Sequence, residues 1–149
     1  MNEERQYLAI TESDLANKIE NFFYEFSDFF NADSKKAVFL LGSLTQFLLN
    51  IQSRLKNSQP FRARLKGLKL DKRQIEKLFP EIQNKLEEYD KNYYKKLEEI
   101  IAAYLLRAGK SWGITNDEIS FYFVLGMNLS NNFKSEDKQN EGDYNESVS

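Results

Sequence analysis

The chain has 149 residues, 30% charged and 41% hydrophobic, at a formal net charge of −2, which is length enough to bury a core and a balance ordinary for one globular domain. It contains no cysteine and no histidine. This excludes disulfides, Ser-His and Cys-His nucleophile pairs, imidazole acid–base work and nearly all transition-metal sites, and no cofactor is expected.

The opening residues, MNEERQYLAITESD, lack the basic region followed by an apolar run that marks an export signal. No apolar run approaches the ~20 residues of a membrane span, so a cytoplasmic protein without membrane contact is expected. Residues 1–10 read as a loose lead-in. Thr11 and Asp14 resemble a capping box, after which Leu15, Ile19, Phe22, Phe23, Phe26, Phe29 and Phe30 recur at steps of three and four. That spacing predicts an amphipathic helix whose aromatic face, with Phe22, Phe26 and Phe29, packs inward. Residues 1–34 hold eight acids against two bases, so its outer face is acidic.

Asp33 and Ser34 offer an N-cap to a second helix over roughly residues 35–56. From Ala37 to Ile51 it is apolar almost all round, which predicts burial on every side and a central place in a bundle. Gly42 within it costs about 1 kcal/mol of helix propensity; close approach of a neighbouring helix would account for it.

The most informative stretch follows. Between Arg54 and Lys77 lie nine basic residues (Arg54, Lys56, Arg62, Arg64, Lys66, Lys69, Lys72, Arg73 and Lys77) against Asp71 and Glu76 alone, an excess of +7 in a chain at −2, so that the remainder stands at −9. Charge runs are often no more than solvated faces, but this concentration raises the local potential and attracts polyanions. Phe61, Leu65, Leu68 and Leu70 are spaced to pin the segment to a core. Asn57-Ser58-Gln59-Pro60 reads as a turn, Phe61–Lys66 as one short helix closed by Gly67, and Asp71 with Gln74 as a cap opening a helix that carries Ile75, Leu78 and Phe79. Lys35 and Lys36 either extend the basic track or are plain surface.

Pro80 suits the first turn of a further helix over about residues 81–108, with Ile82, Leu86, Tyr89, Tyr93, Leu97, Ile100 and Tyr104 as its seam and Gly109 as its stop. The acid pairs Glu87/Glu88 and Glu98/Glu99 read as polar face beside neighbouring lysines, not as catalytic carboxylates. A loop with the single tryptophan leads to a Thr115–Glu118 capping box and a last helix to about residue 132, bearing Ile119, Tyr122, Phe123, Gly126 and Met127. Residues 134–149 are polar, acidic by three charges, and predict a disordered tail. The expectation is an all-α bundle of about five helices over residues 11–133. No phosphate-cradling loop, nucleophile elbow or metal-ligand spacing is present, so a non-catalytic binding module for an acidic partner is expected.

The strings PFRARLKGLKLD at 60–71 and WGITNDEISFYFVLGMNL at 112–129 resemble the C-terminal helical domain of the type I-B CRISPR large subunit, a resemblance that runs from about Lys35 to Phe133. In that family the same region is also made separately, as the small subunit of the Cascade surveillance complex, and a chain opening at its own methionine fits that form. The resemblance implies a non-catalytic helical subunit that lines the complex in several copies. There it stabilises the assembly of CRISPR guide RNA with target DNA and helps hold the displaced DNA strand. Implied partners are these nucleic acids, the Cascade large subunit and backbone subunits, and further copies of the chain. The large subunit's region for the protospacer-adjacent motif has no counterpart here. Under this reading the nine basic residues of 54–77 are the nucleic-acid-binding residues: guide-directed systems leave sequence to base pairing, and the protein need supply only a positive track. The rival reading is a helical interaction adaptor whose basic segment docks acidic partner surfaces.

Overall fold

A computed structural model describes residues 3–55, 60–89 and 94–133, with side chains from Asp14 onward. Six α-helices occur among them: α1 (Glu3–Glu25), α2 (Asp33–Ser53), α3 (Phe61–Leu65), α4 (Lys72–Glu88), α5 (Lys95–Ala108) and α6 (Asn116–Asn128), followed by a 3-10 turn at Ser130–Phe133. No strand occurs among the described residues, so the fold is all-α. The expected disorder of 134–149 and the turn at 57–59 fall outside the described residues.

The centre is α2, as its apolar run requires. Val38, Phe39, Leu40, Leu41, Leu44 and Leu48 are completely buried, and α2 packs against α3, α4, α5, α6 and the 3-10 turn. It meets α6 backbone to backbone. A methyl group built on Gly42 would lie 2.0 Å from the Phe123 carbonyl oxygen, and one built on Gly126 would lie 1.8 Å from that of Phe39. Both positions must therefore lack a side chain. Between them the buried Ser43 hydroxyl donates to the Gly126 carbonyl at 2.8 Å, satisfying a polar group that the dry contact would otherwise strand.

Helical backbone begins at Glu3, ahead of the cap expected at Thr11. No glycine or proline interrupts residues 1–25, and the Glu, Arg, Gln and Leu of the first turns are good helix formers. The aromatic face is split, which corrects the expectation that Phe22, Phe26 and Phe29 pack inward. Phe23 and Phe30 are buried and Phe22 is half-buried, but Phe26 and Phe29 are 43% and 45% exposed. The cause is local: α1 ends at Glu25, and residues 26–31 wind back in turns held by the Phe29 and Phe30 amides donating to the Phe26 carbonyl. Extrapolating the helical face past Glu25 puts both rings on the wrong side. Phe22, Phe30 and Phe133 gather around Phe39 with centroids 4.8–5.8 Å away. Phe26→Ala is accordingly expected to cost about 1 kcal/mol, against about 3–5 kcal/mol for Phe30→Ala; paired urea midpoints check it, and equal losses would place Phe26 in the core.

Two helix boundaries also differ. The cap expected at Asp33/Ser34 is absent: Ala32 is the N-cap residue with no side-chain bond, and the buried Ser34 hydroxyl donates instead to the Trp112 carbonyl at 3.1 Å. The helix opened by Asp71, whose carboxylate accepts from the Gln74 amide at 2.8 Å, does not stop before Pro80. It runs through that proline to Glu88. Ile75, Leu78, Phe79, Ile82 and Leu86 are all buried along one face, and this continuous burial outweighs the roughly 3 kcal/mol that an interior proline costs. The long helix over 81–108 is thus two, α4 and α5, joined by residues 90–93 outside the description. Their seam stays in phase, with Ile82, Leu86, Leu97 and Tyr104 buried on both sides of the break. Tyr93 lies outside the described residues. The Thr115–Glu118 box is complete, with reciprocal bonds of 2.9 and 3.1 Å.

Candidate nucleic-acid interface

The basic segment is held as its apolar residues require. Phe61 is buried at the start of α3, and its amide donates to the side-chain oxygen of Gln52 in α2. The Gln52 amide group in turn donates to the Tyr89 hydroxyl at 3.0 Å, so one buried glutamine joins α2, α3 and the end of α4. Leu65, Leu68 and Leu70 are half-buried against the core. Gly67, at φ 75°, makes the turn that follows α3. The Arg64 guanidinium reaches Glu81 at 2.9 Å, laying α3 alongside the second half of α4. The segment is a folded surface layer.

On that layer Arg54, Arg62, Arg64, Lys66, Lys69, Arg73 and Lys77 are exposed and Lys72 is half-buried. Lys56 lies outside the described residues. Arg64 and Lys72 are engaged: Arg64 with Glu81, and Lys72 with Glu76 at 3.1 Å while sitting 5.3 Å from the centre of the Trp112 ring. Arg54 turns back to donate to the Asn50 carbonyl. Arg62, Lys66, Lys69, Arg73 and Lys77 enter no ion pair among the described residues. Arg73 and Lys77 stand one turn apart on α4, and Lys66 and Lys69 bracket the Gly67 turn. Five exposed cations without an ion pair thus stand on a layer that the core already holds in place.

Lys35 and Lys36 face elsewhere. Lys35 bonds Asn31 at 2.8 Å and approaches Glu118 at 3.9 Å, while Lys36 lies over the rings of Phe23 and Tyr104. The link between the track and the start of α2 is Trp112, which receives Lys72 on its ring and the Ser34 hydroxyl on its carbonyl. Sequence showed a lone tryptophan in a loop and gave no signal for this joint.

A second surface was missed entirely. Phe29 and Phe121 meet with centroids 5.7 Å apart. With Phe26 and Val124, both of them are exposed, leaving apolar area in contact with water at the turn after α1 and on α6. The signal was present as Phe121 and Val124 at i and i+3, off the buried face of Tyr122 and Phe123.

No group of acidic residues able to hold a metal occurs among the described residues, and no helix there is long and apolar enough to cross a membrane. The molecule is thus an α-helical bundle, packed around one buried helix, that carries a basic surface layer on two of its outer helices. The chain belongs to the CRISPR-associated protein TM1802 (cas_TM1802) C-terminal domain family, whose model matches residues 1–141. No curated protein and no solved structure matches it.

Proposed function

We propose that this chain is the non-catalytic small subunit of a type I CRISPR Cascade complex in the cytoplasm. Its basic layer holds the sugar–phosphate backbone of the guide RNA–target assembly and of the displaced DNA strand. Membership of a CRISPR-associated family supports the setting. The observation that carries the contact is the set of exposed, unneutralised cations Arg62, Lys66, Lys69, Arg73 and Lys77 on a layer fixed by Phe61 and Gln52. Backbone contacts suffice in such a complex because pairing with the guide reads the sequence. The large subunit, the backbone subunits and further copies of the chain are the protein partners in this reading.

The exposed rings Phe26, Phe29 and Phe121 favour a second reading, the interaction adaptor, because apolar surface of this kind marks protein contacts. The two separate on charge reversal. Arg62→Glu, Lys66→Glu and Arg73→Glu together spare Arg64, whose loss would disturb its contact with Glu81. The triple variant is expected to keep its circular dichroism and its assembly with partner subunits while losing oligonucleotide binding and target-strand opening. Failure to assemble before any nucleic acid is added would make the layer a protein-docking surface. Normal assembly with full strand opening would remove the nucleic-acid role.

A further inference from the structure

Apart from the basic layer, one cavity of about 390 Å³ opens between α1, the start of α2 and α5. Tyr24 stands on its wall with 84% of its area exposed, although a tyrosine ring this open forgoes the burial that usually places it. Tyr104 lies inside, buried, with the Lys36 ammonium 5.5 Å and the Arg107 guanidinium 4.6 Å from its ring centre. Glu20 and Asp33 complete the lining. Among the described residues none of these two cations and two carboxylates enters an ion pair. Burial raises the Tyr104 hydroxyl above its ordinary range, the Arg107 charge opposes the rise, and Glu20 and Asp33 add to it. Tyr104 therefore stays a neutral hydrogen-bond donor.

A ligand that answers all of these groups carries an anion for Lys36 and Arg107, a flat ring for Tyr24, and paired N–H donors for a carboxylate. A nucleotide has all three. Among the bases, guanine presents N1–H and the 2-amino group side by side, which a single carboxylate accepts in bidentate fashion. Thymine and uracil present one N–H between two carbonyl oxygens that a carboxylate repels. We propose that this cavity takes one splayed nucleotide with a preference for guanine. The base stacks on Tyr24, its Watson–Crick edge meets Glu20 or Asp33, and its phosphate meets Lys36 and Arg107. Stacking and edge contacts of this kind are how proteins read unpaired bases. Asp33 adjoins Ser34, whose hydroxyl donates to the carbonyl of Trp112, the ring on which Lys72 of the basic layer sits. The assignment deepens the nucleic-acid reading, and its test keeps the two apart.

Two arms are needed. In the first, dGMP, dTMP and inorganic phosphate are titrated separately into the full chain while the ring resonances of Tyr24 and Tyr104 are followed. The expected result is saturable shifts with dGMP at concentrations where dTMP and phosphate give little. In the second, fifteen-residue oligothymidine is compared with the same strand bearing one central dG. The substituted strand is expected to bind about fivefold tighter, the low end for one bidentate base contact. Tyr24→Ala, and Asp33→Asn combined with Glu20→Gln, should each remove that gain while leaving oligothymidine binding unchanged. Tyr24 is exposed and the two amide substitutions are nearly isosteric, so both variants should keep the wild-type circular dichroism. Equal shifts from all three small ligands would reduce the cavity to an anion site and overturn the assignment, as would the absence of any preference for the dG strand. Shifts with dGMP in a chain that ignores oligothymidine would uphold the cavity and refute the basic track. Oligothymidine binding without guanine preference would do the reverse.

Discussion

Replacing Gly126 with alanine is expected to destabilise the protein by about 2–3 kcal/mol, although alanine is the better helix former by about 1 kcal/mol. The added methyl would stand 1.8 Å from the Phe39 carbonyl oxygen and 3.2 Å from the Phe39 Cα. These are backbone atoms of a completely buried residue, so no flexible side chain can yield. The helices must part, and parting them also strains the bond from Ser43 to the Gly126 carbonyl. Gly42→Ala is expected to act alike, against the Phe123 carbonyl at 2.0 Å. Once one methyl has forced α2 and α6 apart, the second meets less resistance, so the double variant should lose clearly less than the sum of the singles. Thermal unfolding of the two singles and the double is the measurement, with drops of roughly 5–10 °C for each single. A melting temperature at or above that of the wild type for either single would show that the two backbones do not touch there.

The second large effect is on binding. Affinity for a single strand is expected to fall roughly a hundredfold between 50 and 200 mM salt. Five cations of the basic layer enter no ion pair among the described residues. If each displaces counterions from one phosphate, the logarithmic slope is about −0.7 per contact, or about −3.5 in all. Removing three of them with Arg62, Lys66 and Arg73 should leave a slope near −1.4 and a salt effect of roughly sevenfold, besides weakening binding at every salt concentration. Fluorescence anisotropy on a labelled oligothymidine gives both slopes. A wild-type slope close to zero would mean that the layer does not meet phosphate. An unchanged slope in the triple variant would move the contacts to other residues.

Much of this architecture was legible in the sequence because it rests on short-range physics. The unbroken apolar run from Ala37 to Ile51 can be buried only in the middle. The Asp71 and Thr115 caps follow from the spacing of a donor and an acceptor three residues apart. Gly42 in a buried helix announced a close neighbour, and Gly126 proved to be its counterpart. The failures have two origins: tertiary contact overrode a local signal, or a helix ended where the apolar spacing ran on. Burial along Ile75–Leu86 carried α4 through Pro80. The break after Glu88 left the apolar period undisturbed, so periodicity could not register it. Phe26 and Phe29 kept helical spacing after the helix itself had ended. Ser34 had a cap's composition, but Trp112, 78 residues away, offered a buried carbonyl in its place. Of the candidate site, the list of charges was readable but not their state. Only the fold distinguishes Arg64 and Lys72, which are engaged, from Arg62, Lys66, Lys69, Arg73 and Lys77. The cavity between α1 and α5 was unreadable for the same reason, since Tyr24, Lys36 and Arg107 come from three separate stretches of chain.

The position of Trp112 has an optical consequence. It is the single tryptophan of the chain, it is 8% exposed, and its indole N–H donates to the Gly109 carbonyl at 3.2 Å. Light absorbed near 295 nm therefore excites one chromophore, set where Lys72 of the basic layer meets the loop that anchors α2. Its emission maximum and lifetime respond to the field of that ammonium group and to any water admitted beneath it. The native chain thus carries an intrinsic fluorophore beneath one edge of its basic layer, and events there can be followed by its emission without attaching a dye.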